Sequence, residues 1–305
     1  MNDQFISIAM ATYNGALFVE EQIRSVLEQT IANFELIITD DASNDETPLI
    51  LQQLATEDSR IKLLLHTQNK GVNNNFEIGL KACTGDFIAI ADQDDIWLPN
   101  KLEASLKLFA DQNIVLVHGR SAVFSGEKPK EIPALKPIKL MEGSNPRKLA
   151  LRNSISGHNI VFRRSLLDNA LPLPSSILYD WWFGEIATCV GKIAASNEVL
   201  VYQRQHASNV TLYNRSTWRQ SRREYEERKN ALEAFQAIRP MSSSDKMFFH
   251  DLLQKWTKTE NNKFNWCLFL FLLSNAGTLF FYKKKLLPYF SYLKAAYKLS
   301  SITND

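Results

Sequence analysis

Short apolar, β-branched runs alternate with helical periodicity along roughly the first 120 residues. The runs predict strands at Ile6 to Met10, Glu35 to Thr39, Ile61 to His66, Phe87 to Ala91 and Ile114 to His118. Between them, Leu17, Ile23, Val26 and Leu27 form a stripe at helical spacing. Leu49, Leu51 and Leu54, then Phe76, Ile78 and Leu80, predict two shorter helices, and another follows Pro99. Such alternation implies an α/β fold with a mostly parallel sheet between helices, whose ligands bind outside the carboxyl ends of the strands. The loops that matter are therefore Ala11-Thr12-Tyr13-Asn14-Gly15, Asp40-Asp41-Ala42-Ser43 and Asp92-Gln93-Asp94-Asp95.

Composition narrows the function classes. Of 305 residues, 45% are hydrophobic and 22% charged, an ordinary globular balance that excludes disordered and low-complexity chains. A net charge of +2 is too small for a chain built to grip nucleic acid. Cys83, Cys189 and Cys267 lie too far apart for a zinc site and are odd in number, which suits a reducing compartment. The first ten residues have no basic stretch before their apolar run, so no secretory signal is expected and the protein is read as cytoplasmic.

Charge is uneven along the chain. From Met241 onward there are nine lysines and four acids, so the preceding part is net acidic. Phe264 to Tyr282 is a 19-residue run without formal charge, followed by Lys283, Lys284 and Lys285. Its length borders on that of a membrane span, yet Asn265, Ser274, Asn275, Gly277 and Thr278 oppose spanning. Attachment to an anionic membrane surface, or packing on the main domain, remain as readings of this tail. Residues 216–240 pair opposite charges at i and i+4 and predict a solvated helix leading out of the main domain. The proline-bearing segment Ser125 to Asn145 reads as a loop, either beside an acceptor groove or a plain surface excursion.

The strand-end loops carry the chemistry. One glycine in ATYNG is too few for a dinucleotide fingerprint, and the loop also lacks the Gly-rich, lysine-bearing pattern of a nucleotidyltransferase. Three aspartates within Asp92–Asp95 could cap the next helix. Crowded carboxylates repel unless a cation joins them, and Mg²⁺ or Mn²⁺ held by one or two carboxylates completes its shell with water and phosphate oxygens. The loop thus points to a diphosphate ligand, and the acid pair after the second strand can accept hydrogen bonds from a base or ribose.

In order along the chain stand MATYNG, ELIITDDASNDET, HTQNKGV, GDFIAIADQDDIWLPNKL, SGHNIVFRRSLL, YDWWFGEIA and YQRQHASNV. From about Ile6 to Val210 this series resembles the family 2 glycosyltransferases of GT-A fold. The DQDDIW, DWW and RQH segments look most like bacterial rhamnosyltransferases that use dTDP-L-rhamnose in O-antigen or capsular polysaccharide synthesis. The resemblance implies a catalytic domain over 1–215, with a nucleotide-sugar half to about 120 and an acceptor half beyond, and a basic helical extension over 216–305. It implies that Thr12, Tyr13, Asp41, Asp92 and Gln93 bind the nucleotide sugar, and that Asp94 and His206 hold Mn²⁺ or Mg²⁺. Asp180 would be the base of an inverting transfer, with Asp95, Trp181 and Trp182 on the acceptor side. Tyr179 and His158 depart from the family pattern, which more often has histidine and cysteine there. The implied acceptor is a lipid-linked glycan, met by a peripheral protein at the cytoplasmic face of the inner membrane. Another UDP- or dTDP-sugar donor, or a catalytically degenerate scaffold in a polysaccharide assembly complex, are the alternatives.

Overall fold

The computed structural model of the chain describes residues 4–206, 220–259, 263–283 and 288–303. In chain order, β1 is Ile6–Thr12, α1 Val19–Leu27, β2 Phe34–Asp40, α2 Thr47–Glu57, β3 Ile61–Leu65, α3 Val72–Ala82 and β4 Phe87–Ala91. Then come β5 Ile96–Trp97, α4 Lys101–Lys107, β6 Ile114–Phe124, β7 Ile160–Arg163, α5 Leu167–Ala170, α6 Tyr179–Val190 and β8 Lys192–Arg204. The remainder is β9 Gln220–Ser221, α7 Arg222–Phe235, α8 Ser243–Thr257, α9 Trp266–Ser274, α10 Ala276–Leu279, α11 Pro288–Leu299 and β10 Ile302–Thr303.

Eight strands form one sheet in the order β3-β2-β1-β4-β7-β6-β8-β5. The first four are mutually parallel, as the alternation predicts. Directions mix beyond β4: β7 is antiparallel to both β4 and β6, and β5 is antiparallel to β8. β6 continues six residues past His118, because Arg120 to Phe124 pair with β8 although Gly119-Arg120-Ser121 interrupts the apolar run. Tertiary pairing here overrides local pattern.

Alternate residues of the parallel strands feed two cores. Ile6, Ile8, Met10, Leu36 and Ile38 meet α1 and α2, whereas Ala9, Ile37, Ile88 and Ile90 face Phe76 and Leu80 of α3. Two residues of the expected stripes are on the outside. Leu17 precedes α1 and is 87% exposed, and Leu49 lies on the outer side of α2, which turns Leu51 and Leu54 inward.

The second core does not stop at the sheet. Tyr225, Leu232 and Phe235 of α7, Phe249 and Trp256 of α8, and Leu268 and Leu272 of α9 belong to it. Helix α7 is therefore solvated only on one side, where Arg222–Glu226 and Arg223–Glu227 pair, and its other side is core. The uncharged run is cut by its own polar residues. The Asn265 side chain accepts from Leu268 N at 2.9 Å and so caps α9, while Asn275 Nδ2 donates to the Phe271 carbonyl at its end. Among the described residues, no helix is long and apolar enough to cross a membrane. Lys284 and Lys285 lie outside the described residues.

Candidate active site

Buried polar groups must find partners, and this requirement joins the loops after β1 and β2. Thr12 Oγ1 donates to Asp40 Oδ2 at 2.8 Å, and Ser43 gives its amide and hydroxyl to the same carboxylate at 2.8 and 2.6 Å. Asn14 N donates to Ser43 Oγ, and Gly15 N to Thr47 Oγ1. The Asp41 carboxylate accepts from Lys70 N at 2.7 Å and Gly71 N at 2.9 Å, fixing the loop ahead of α3. Thr12, expected to bind the nucleotide sugar, is buried and its hydroxyl serves Asp40. Tyr13 stays 46% exposed, its ring open to a planar ligand. Gln93 bonds the Tyr13 main chain twice, accepting from N at 2.9 Å and donating to O at 3.1 Å. The pocket wall and the aspartate loop are thereby one body, and a Cβ at Gly15 would lie 2.4 Å from Gln93 Oε1 and displace that amide from the Tyr13 main chain.

The aspartates divide into two sets. Asp94 Oδ2 and His206 Nε2 are 2.8 Å apart. In the other set, half-buried Asp92 and buried Asp95 and His158 bring one ligand atom each within 4.8 Å of one another. His158 Nδ1 lies 3.8 Å from Asp92 and 3.5 Å from Asp95, while its Nε2 is 2.6 Å from Ser121 Oγ. Asp95 Oδ1 accepts from Arg204 N at 3.1 Å, and its buried Oδ2 has no hydrogen-bond partner. Asp95 was expected on the acceptor side, yet it is a floor residue turned into the protein, held there by the strand pairing that brings Arg204 alongside.

Desolvation, with neighbouring carboxylates adding to it, pushes Asp92 up to about 7; desolvation and the Asp94 charge push Asp95 up to about 8. Burial also draws Lys101 down to about 7 despite the attraction of Asp95. Its Nζ sits 3.9 Å from the centroid of the Trp97 ring. An orphaned carboxylate oxygen among carboxylates that resist ionisation is the condition a divalent cation relieves, so the donors present fit Mn²⁺ or Mg²⁺.

Helix α6 brings a fourth carboxylate to this loop. Its first residue, Tyr179, packs against Phe76 with ring centroids 4.3 Å apart and donates its hydroxyl to Asp92 Oδ1 at 3.2 Å. The neighbouring Asp180 accepts from Trp181 N at 2.7 Å and from Gly157 N at 3.2 Å, and desolvation pushes it up to about 6. Gly157 is needed there, since a Cβ would lie 2.2 Å from the Tyr179 hydroxyl.

The two tryptophans differ from the expected acceptor wall. Trp182 is core, its Nε1 donating to the Ala170 carbonyl. Trp181 donates to the Leu149 carbonyl and lies edge-on to Phe235 of α7, leaving only part of its ring accessible. Sequence reasoning noted Tyr179 and His158 only as departures and missed Lys101 and Ser121. A polar residue at an inward strand position, such as Ser121 on β6, was the available signal.

Comparison with known proteins agrees with this geometry. Residues 7–171 match the profile of the family described as Glycosyl transferase family 2. An Escherichia coli protein, the UDP-Glc:alpha-D-GlcNAc-diphosphoundecaprenol beta-1,3-glucosyltransferase WfgD, is 40% identical over 125 residues, 41% of this chain and 49% of that protein. An uncharacterized glycosyltransferase of Nostoc sp. is 30% identical over 214 residues, 67% of this chain and 66% of its own length. The chain thus spans about half to two thirds of these relatives. Among solved structures, S. aureus TarS 1-349 in complex with UDP-GlcNAc superposes with a TM-score of 0.62 at 16% identity, covering 96% of this chain and 89% of TarS 1-349. The Pyrobaculum calidifontis mannosyltransferase in complex with GDP-Man and Mn2+ gives a TM-score of 0.58 at 17% identity, covering 97% and 85%. These likenesses identify the GT-A architecture of the sheet and its helices.

Proposed function

The chain belongs to glycosyl transferase family 2, and on that footing we propose an inverting, divalent-cation-dependent transferase that moves a sugar from a nucleotide-diphosphate donor to a hydroxyl of a lipid-linked glycan. The observation that carries this reading is the hydrogen bond from Tyr179 to Asp92, which ties the start of α6, and hence the carboxylate of Asp180, to the aspartate loop. Tyr13 stacks on the base, Asp41 orders the loop beneath it, and Asp92 and Gln93 border the diphosphate. Asp94 and His206 are the donors for Mn²⁺ or Mg²⁺, and the Asp92–Asp95–His158 set is the alternative seat. When bound, the cation supplies charge neutralisation on the leaving diphosphate.

Asp180 accepts the proton of the attacking hydroxyl. The acceptor oxygen then bonds the anomeric carbon as the carbon–oxygen bond to the diphosphate breaks, with inversion. A carboxyl raised to about 6 is a stronger base than one in water, and is still mostly ionised at pH 7. The DQDDIW, DWW and RQH segments favour dTDP-L-rhamnose as donor. Similarity to the E. coli glucosyltransferase makes UDP-glucose the second donor and supports an acceptor linked through diphosphate to a lipid; the cytoplasmic face of the inner membrane is where this reading puts the encounter.

The test is a screen of nucleotide sugars for slow hydrolysis with Mn²⁺ and no acceptor. One donor should be hydrolysed, excess EDTA should stop it, and Asp94→Ala should lower it about a thousandfold at unchanged circular dichroism. Full activity in excess EDTA would remove the cation from the mechanism. Hydrolysis of no donor at all would favour the scaffold role.

A further inference from the structure

The two sides of the C-terminal helices face different surroundings. Leu268 and Leu272 of α9 and Ala296 of α11 are fully buried. On the opposite side of α9, Trp266 and Leu270 are 66% and 62% exposed, and at the start of α11 Tyr289 and Phe290 are 79% and 72% exposed. An open groove of about 560 Å³ joins the two helices, lined by Phe269, Phe290, Leu293, Lys294 and Tyr297. At one end Phe264 bridges them, its ring 4.8 Å from Trp266 and 5.1 Å from Tyr297 between centroids. Phe264, Trp266, Phe269, Phe290 and Tyr297 are thus joined around one groove, unlike the scattered Leu17 and Leu49 elsewhere. Contiguous apolar surface of this kind marks an interaction site.

Charge identifies the partner. Between Asn261 and Thr303 the sequence holds six lysines and no acidic residue. Lys298 pairs with Glu224, and Lys294 lines the groove. Tryptophan, tyrosine and leucine within a lysine-rich stretch that itself carries no acid match the interface of an anionic bilayer, where rings sit at headgroup depth and lysines meet lipid phosphates.

We propose that the α9–α11 face docks on an anionic phospholipid surface, by shallow insertion of Trp266, Leu270, Tyr289 and Phe290. The purpose of such docking rests on the proposed membrane-borne acceptor, while the surface itself is argued independently of it. The inward residues of the uncharged run stay in the protein core, so the run lies on the membrane and does not enter it.

The test is co-sedimentation of the full-length chain with vesicles of phosphatidylglycerol and phosphatidylethanolamine, against phosphatidylcholine alone, at low salt. Partitioning should be at least tenfold stronger on the anionic vesicles and fall as salt rises. Tyr289→Ser with Phe290→Ser should reduce it at least tenfold while thermal unfolding and donor hydrolysis stay at wild-type values. Leu270→Ser, on the other helix, should reduce it in the same direction. Equal binding by these variants, no binding by the wild type, or a self-associated dimer that the variants dissociate and vesicles do not, would overturn the proposal. Donor hydrolysis without vesicle binding would refute the docking and leave the transferase reading intact; vesicle binding without hydrolysis of any donor would do the reverse.

Discussion

The parallel strands and the C-terminal helices are both strongly apolar, yet apolarity has different consequences in them. β2 is buried along its whole length because each of its sides has a helical layer to face. α9 is almost as apolar in sequence, WCLFLFLLS, yet only Leu268 and Leu272 are fully buried. A strand between two layers consumes all its apolar residues in the fold, whereas a helix at the rim consumes one stripe and leaves the rest for another partner. The same contrast separates the carboxylates. Those of the strand-end loops are desolvated, and those of α7 are largely paired to arginines in water.

Removing residues 241–305 tests the comparison most severely. The truncation uncovers Leu232, Phe235 and Ile238 together with the sheet-side residues they cover. Each large apolar side chain returned to water forfeits about 1.5–3 kcal/mol, so a handful equals the whole stability of an ordinary domain. Expression should give insoluble protein. A soluble, cooperatively melting fragment spanning 1–240 would mean that the extension is a separate domain.

The next effect in size concerns the desolvated carboxylates. If Asp180 is the base, transfer should fall about tenfold per pH unit below about 6 and level off above it. Asp180→Asn should reduce transfer by a factor of about 10² to 10⁴ and flatten that limb, with donor affinity in calorimetry unchanged. Loss of donor affinity to the same degree would assign Asp180 to the donor pocket. The stability sign is opposite to that of activity. A carboxyl raised in the folded state adds stability that is full below about pH 4 and is lost as the pH rises through about 6.

Most of the parallel half was legible, since period-2 burial leaves a pattern in the residues themselves: the expected strands at Ile6, Glu35 and Phe87 start within a residue of the observed ones. The aspartate loop was legible because parallel strands fix where ligands bind. What stayed hidden depends on residues distant in sequence. Nothing near Asp95 announces that Arg204 N will hold it, or that His158 will face it. Nor could the uncharged run reveal which of its leucines meet α8.

That division is testable on one helix. Leu272 is fully buried and Leu270 is 62% exposed, so Leu272→Ala should cost about 2–5 kcal/mol in denaturant unfolding and Leu270→Ala less than about 0.5. Equal costs would mean that α9 is rotated on its axis relative to the arrangement described.

The smallest effect contrasts backbone strain. Among the described residues, the non-glycine positions with φ in the left-handed region are Asn14 at 48° and Ala42 at 61°, both in the loops that frame the nucleotide pocket, and none in the C-terminal helices. Asparagine tolerates this conformation, whereas an alanine Cβ approaches a carbonyl oxygen at a cost of about 1–2 kcal/mol. Ala42 bears it because both neighbours are fixed: Asp41 by Lys70 N and Gly71 N, Ser43 by Asp40. Glycine would relieve the strain but raise the entropy of the unfolded chain by an amount worth about 0.4–1 kcal/mol. Ala42→Gly should therefore stabilise the protein by about 0.5–1 kcal/mol net. Asn14→Gly should change little, and Ala42→Val should destabilise more than either gains. Denaturant midpoints measure all three, and a less stable Ala42→Gly would mean that the loop, when free to relax, does not hold residue 42 in this conformation.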